Sequence, residues 1–286
     1  MQLGNGCITF IVIMNKEYKD KFPTWCGNNK KYYMCLTDDL DSLFSCLLLQ
    51  QVKGYEISHF YSFNALYKGD NHKKDNYKLI GVDMDLIDRS CWGNHVTGVN
   101  NPLSANLNVI EGINTNNYFT KYAGSTLLQI ISYYNYDISM LSDEAKMVLL
   151  CVDSSYLGYY LKQYPQPRRA NKKYLCDVLE LEELYKLQQE HSKEEFDKLQ
   201  KKYNLKKKIF VNEEGKLKTA IDLQGLTELF NLPFSLPKNQ FTKINNYKDK
   251  GVSLYKYESL KKELEKKGTP IFSQAMTNKN YIKLSY

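Results

Sequence analysis

The chain reads as an α/β protein: a mostly parallel sheet flanked by helices, followed by a smaller, helix-rich α/β region. Three observations predict this. Apolar strand-like segments alternate with helical ones over the first 160 residues, the order that builds a parallel sheet with helices on both faces. Aspartates stand at the end of one strand-like segment after another. From about Tyr164 the chain turns charged and helical, with lysine in excess.

Each element can be justified in turn. Cys7–Met14 (CITFIVIM) is too short to span a membrane. It has no basic flank or small-residue cleavage site, so it reads as a buried strand and not a signal peptide. Residues 31–37 form a strand that leads into a helix over 41–52, closed by Gly54 as a left-handed cap. YEISHF (55–60) and YKLIGV (77–82) alternate as strands do. AGSTLLQIISYY (123–134) has helical spacing. The helix in 141–151 opens with Ser142 as N-cap and Asp143 and Glu144 in its first turn, where negative charge is favoured. Pro165, Pro167, Arg168 and Arg169 read as a linker, which sets two domains, residues 1–163 and 164–286. Residues 175–203 then form a charged amphipathic helix, broken near Ser192 by a second cap. Lys206, Lys207 and Lys208 precede a short strand (IFV), a turn at Glu214-Gly215 follows, and a strand lies near the end.

Composition narrows the classes. The seven cysteines are odd in number, form no CxxC pair and sit largely in apolar runs, as reduced thiols of a cytoplasmic protein do. No apolar run reaches the length of a membrane span. The net charge of +7 is uneven: residues 160–286 hold 26 Lys and Arg against 16 Asp and Glu, while residues 1–159 hold 13 against 16. An acidic first part and a basic second part predict cation binding in one and an anionic partner in the other.

The acidic residues concentrate where an open α/β sheet collects its functional groups, at the carboxyl ends of strands. Asp39 and Asp41 follow the first of these strands, Asp83 follows YKLIGV, Asn94-His95 comes next in CWGNHVTG, and Asp153 follows the helix of 141–151. Asp38 and Asp85 read as supporting or solvated carboxylates. Crowded carboxylates repel one another unless a cation sits among them. Aspartates with one histidine make a hard, oxygen-rich set, suited to Mn²⁺ or Mg²⁺ more than to zinc. Asp39, Asp41, Asp83, Asp153 and His95 are therefore the candidate metal ligands, and Asp41, Asn94 and His95 the candidate catalytic residues.

This order resembles the DHH phosphoesterase superfamily over residues 31–160. Asp39-Leu40-Asp41-Ser42 is similar to its first motif, Asp83 to its second and Asp153 to its fourth, while Gly93-Asn94-His95 stands where the family has Asp-His-His. The resemblance implies one or two Mn²⁺ ions and hydrolysis of a phosphodiester or phosphoanhydride. Asn94 and His95 would orient the phosphate, and the basic second domain would grip a nucleotide or single-stranded nucleic acid. Two departures bear on it. Cys35 occupies the place of a family histidine four residues before Asp39, in a position expected to face the metal cluster, and the third motif lacks its Asp and first His. The histidine-bearing, glycine-rich motif of the family's substrate domain is also absent from 165–286. A second reading therefore stands beside the enzyme: a catalytically degenerate protein that keeps the fold. Such a protein would capture a nucleotide or act as a protein–protein inhibitor of the phage-encoded kind, with a protein partner or a second copy of the chain.

Overall fold

The computed structural model describes residues 14–73 and 76–286; the strand expected at Cys7–Met14 lies outside them except for Met14. Two helical turns, α1 (Lys16–Lys19) and α2 (Thr24–Gly27), precede β1 (Tyr32–Leu36), α3 (Leu40–Lys53), β2 (Glu56–Tyr61) and β3 (Ala65–Gly69). Next come β4 (Lys78–Val82), β5 (Cys91–Trp92), β6 (Ser104–Ala105), α4 (Leu107–Ile110), α5 (Thr126–Tyr133), α6 (Asp143–Cys151) and α7 (Leu157–Tyr160). A second stretch holds α8 (Pro165–Lys172), α9 (Glu182–Glu190), α10 (Lys193–Lys202), the hairpin β7 (Ile209–Val211) and β8 (Leu217–Thr219), and α11 (Leu223–Phe230). The chain closes with β9 (Phe241–Asn246), β10 (Asp249–Ser253), α12 (Leu254–Lys266), β11 (Ser273–Asn278) and β12 (Tyr281–Ser285).

The expected fold class is what the chain adopts. A seven-stranded sheet in the order β6-β5-β4-β1-β2-β3-β9 forms its centre. The run from β6 to β2 is parallel, and β3 and β9 add antiparallel strands at one edge. β1 is buried along its whole length, as a central parallel strand covered on both faces must be. Its alternation sorts the side chains. Tyr32, Met34 and Leu36 enter the main core, whereas Cys35 joins a smaller apolar cluster with Tyr61, Met84, Leu86 and Cys91. The helix after β1 is capped at both ends by its sequence. The Asp39 carboxylate accepts from Ser42 N at 3.3 Å, and Gly54 takes the left-handed conformation at φ 64°.

Two segments differ from the sequence expectation. The stretch read as a linker is α8, because a proline at the first helical position gives up an N–H that has no helical partner anyway. The region 164–286 contributes Tyr174, Leu184, Phe196, Leu226 and Phe241 to the same core as the first half, and β9 pairs with β3. Phe44 of α3 packs edge-on against Phe230 and Phe234, with ring centroids 5.0 and 4.6 Å away. The small sheet β10-β12-β11 with α12 forms its own cluster, joined by Val96 and Tyr118. It braces the loops that carry the site: Gln274 N donates to Asp85 O at 3.0 Å and Met276 N to Val96 O at 2.7 Å. Among the described residues no helix is long and apolar enough to cross a membrane.

Candidate metal centre

Three elements deliver one carboxylate each to a common point. Asp41 lies in the first turn of α3, Asp83 directly follows β4, and Asp153 sits in a 3₁₀ turn that ends α6. Ligand oxygens of the three lie within 4.8 Å of one another.

Each carboxylate is held by its surroundings. Asp41, 1% exposed, accepts from the backbone N–H groups of Thr126 at 2.7 Å and Leu127 at 2.8 Å. These are orphan donors at the start of α5, where the helix dipole favours an anion. Thr126 Oγ1 donates to Asp83 at 2.9 Å. Asn94 Nδ2 donates to Asp153 at 2.7 Å and to Gly124 O at 3.1 Å. Gln200 of α10 reaches Cys151 O and Ser154 Oγ and fastens the turn that presents Asp153. Asp83 and Asp153 both take left-handed backbone, at φ 56° and 50°. Aspartate tolerates this better than most residues, and such strain gathers at functional positions. Ser42 ties the two strand ends together, accepting from Thr37 N at 2.8 Å and donating to Val82 O at 2.7 Å.

The charges oppose one another. Burial pushes Asp41 well above the usual carboxylate range, and Asp153 and Asp39 push it further, against the two backbone donors. Asp83 is raised by burial and then by Asp41, Asp39 and Asp153. Asp153 is raised by burial and by Asp39, with His95, Asn94 and Lys208 pulling it back. A carboxyl whose pKa is raised in the folded state stabilises the fold below its unfolded pKa, and that contribution is lost as pH rises through the folded value. In chelator the protein is therefore expected to melt higher at about pH 5 than at about pH 7.5, with Mn²⁺ restoring the loss at the higher pH. His59, held down to about 4 by burial and by His72 and Lys68, works in the opposite sense on acidification. Comparison of melting curves with those of Asp83→Asn, which keeps His59, isolates the cluster's share.

The other expected site residues stand around this point and not in it. Asp39 caps α3, and its second oxygen meets Lys208 Nζ at 3.2 Å; the same ammonium lies 2.9 Å from Asp38. His95 Nδ1 pairs with Asp85 at 2.8 Å, and that carboxylate holds the imidazole above its ordinary value although burial opposes it. Gly93 makes the pair possible, since a Cβ there would lie 2.5 Å from Asp85 Oδ1. Asn94 orients Asp153. Cys35 does not join the acidic group; its thiol lies in the apolar cluster and burial pushes it far up. Trp92 is fully buried core.

Two cavities meet at Asp153. One of about 270 Å³ is lined by Asp39, Asp41, Gln200, Lys206 and Lys208. The other, of about 440 Å³, opens past Asn94, His95 and Lys121. Lys121 is a functional candidate that sequence reasoning missed. Burial lowers its pKa, Asp153 and Asp85 pull it back up, and its ammonium stands 4.9 Å from the Tyr118 ring centroid. Nothing in the sequence marks it, because its neighbours come from β4, α6 and the 94–95 loop. Comparison of the chain with protein families, characterised proteins and solved structures returns no match.

Proposed function

We propose that this protein is a metal-dependent phosphoesterase acting on a phosphodiester or phosphoanhydride of a nucleotide or single-stranded nucleic acid. The convergence of three carboxylates from three elements, Asp41 buried, Asp83 half-buried and Asp153 open to the cavities, carries the reading. Carboxylates this close are mutually repulsive, and a divalent cation relieves the repulsion. The donor set is all oxygen, which suits Mn²⁺ or Mg²⁺. Asp41, Asp83 and Asp153 would hold the metal, which when bound supplies Lewis acidity toward a phosphate oxygen and lowers the pKa of water. The resemblance to DHH phosphoesterases would give Asp41, Asp83 and Asp153 the same task.

The chain's own groups have separable tasks. Asn94 fixes the orientation of the Asp153 carboxylate. His95, whose Nδ1 is held by Asp85, stands on the wall of the larger cavity, where its imidazole can exchange a proton with a leaving oxygen. Lys121 on one side of Asp153 and Lys206 and Lys208 on the other offer cations to phosphate oxygens.

Incubation with Mn²⁺ and short oligonucleotides, cyclic dinucleotides or pyrophosphate tests this directly. Turnover of at least one, abolished by chelator, is the expected result; none on any, with no Mn²⁺ bound in calorimetry, would remove the reading. Lys208→Ala is expected to raise KM about tenfold and to cost some stability as well, because the ammonium is half-exposed but the Asp38 and Asp39 carboxylates it meets are only about a quarter exposed or less. One observation favours the alternative of a binding protein that keeps the fold. Asp39 is engaged by Lys208, which leaves three carboxylates for metal. Nucleotide binding without Mn²⁺ affinity or turnover would select it.

A further inference from the structure

The lysines around Asp153 continue beyond the metal centre. Gln200 and Lys206 line the cavity of about 270 Å³ beside Asp41 and Asp153, and both also line an adjoining groove of about 530 Å³. One face of α10 forms one side of this groove, with Lys193, Asp197, Gln200 and Lys201 at helical spacing, and Lys206 and Lys207 complete it. Asp197 is the one acidic residue in its lining, and that carboxylate is already engaged by Lys193 at 2.6 Å and by the Tyr156 hydroxyl at 2.5 Å. Lys201, Lys206 and Lys207 are exposed and form no ion pair among the described residues. Like charges gathered along a groove repel one another, and a polyanion laid over them relieves the repulsion.

The hairpin β7–β8 adds an aromatic ring to this basic face. Ile209 N donates to Asp38 O at 2.7 Å, which fixes β7 beside the metal centre. Strand alternation sends Ile209 into the core and turns Phe210 outward, 54% exposed, with Lys218 directly opposite it on β8. The hairpin's glutamates, Glu213 and Glu214, lie in the turn at its far end. Cations for a run of phosphates together with a flat apolar face for a base are what single-stranded nucleic acid requires. Inorganic polyphosphate would satisfy the lysines and leave the ring bare.

We propose that the groove along α10 and the hairpin β7–β8 form a binding site for single-stranded nucleic acid, separate from the three carboxylates and leading to them. Lys201, Lys206 and Lys207 take successive phosphates, and a base stacks on Phe210. That the site makes an oligonucleotide the substrate, in preference to a mononucleotide or pyrophosphate, rests on the phosphoesterase reading; that it holds a strand does not.

The test works in chelator, where the metal centre takes no part, and follows the fluorescence anisotropy of a labelled oligothymidylate of about ten nucleotides. The metal-free protein is expected to bind it. The logarithm of the binding constant should fall against that of salt with a slope of about −2, three phosphates at about 0.7 each. Lys201→Gln combined with Lys207→Gln, both at exposed positions, should weaken binding at least tenfold and bring the slope to about −0.7. Phe210→Ala, also exposed, should weaken it about tenfold through lost stacking and leave the slope unchanged. Inorganic polyphosphate should bind wild type and Phe210→Ala alike. An oligouridylate run alongside tells RNA from DNA, and binding of either carries the proposal. No binding of either strand at low salt, or wild-type affinity in the lysine variant or in Phe210→Ala, would overturn it. Mn²⁺ affinity should be the same in wild type and all variants. Loss of Mn²⁺ binding with the strand still held would remove the phosphoesterase reading alone, and loss of strand binding with Mn²⁺ still held would remove this site alone.

Discussion

Asp83→Asn is expected to abolish Mn²⁺ binding and to lower turnover by on the order of a thousandfold. A metal in a hydrolytic site contributes several kcal/mol to transition-state stabilisation, and each 1.4 kcal/mol or so is tenfold in rate. The same change should raise the melting temperature of the metal-free protein. It removes one of three mutually repelling carboxylates, and an amide can still accept from Thr126 Oγ1 at the same place. Asparagine also tolerates the left-handed backbone that Asp83 adopts at φ 56°. The two effects have opposite signs, which sets them apart from general damage. At Mn²⁺ about a hundredfold above its dissociation constant, wild type should gain about 2.7 kcal/mol of stability and the variant none. Paired thermal melts with Mn²⁺ and with chelator measure both. A variant with wild-type Mn²⁺ affinity would show that the three carboxylates are not the site.

Asn108→Leu should cost about 3–5 kcal/mol, read as a fall in the urea midpoint at constant slope. Asn108 is fully buried, and its side chain serves three backbone groups at once. Nδ2 donates to Asn94 O at 2.7 Å and Tyr122 O at 2.9 Å, and Oδ1 accepts from Tyr122 N at 2.8 Å. Leucine keeps the branched four-atom side chain and leaves all three unpaired in a place water cannot reach. The loop with Asn94 and His95 and the loop with Lys121 would lose their common tether, so activity should fall further than the folded fraction explains. A loss below about 1 kcal/mol would mean that the loops hold one another without it.

What the sequence made legible follows from how local each signal is. Asp41, Asp83 and Asp153 could be read because each follows a strand or helix whose period and caps are written within about ten residues of it. Gly54 and Ser192 were legible for the same reason, and Ser192 does form a capping box with Glu195. Asp39 stood next to Asp41 in the text, but the residue before a helix is its cap, and capping turned its carboxylate to Ser42 and Lys208. Cys35 faces away from Tyr32, Met34 and Leu36, into the small cluster of Tyr61, Met84, Leu86 and Cys91. A central parallel strand is apolar on both faces, and neither turns a side chain to the carboxylates. Lys208 is 169 residues from the carboxylate it meets, and Lys121 is 32 from Asp153, so no window holds either pairing. β9 (FTKINN) is exposed beyond Phe241 and carries no alternating apolar pattern, so the strand that finishes the sheet left no mark.

That last strand sets a constraint on synthesis. β3 waits for a partner that begins at residue 241, and Phe44 waits for Phe230 and Phe234. A nascent chain paused near residue 163 would expose both an unpaired strand edge and an open apolar face, the two features that invite association between unfinished copies. Completion depends on contacts between segments nearly two hundred residues apart, which slows folding through the entropy of closing so long a loop. The sheet is thus finished only after residue 246 has been made. Yields of this protein should respond to chaperone supply and to growth temperature more than its native stability would suggest.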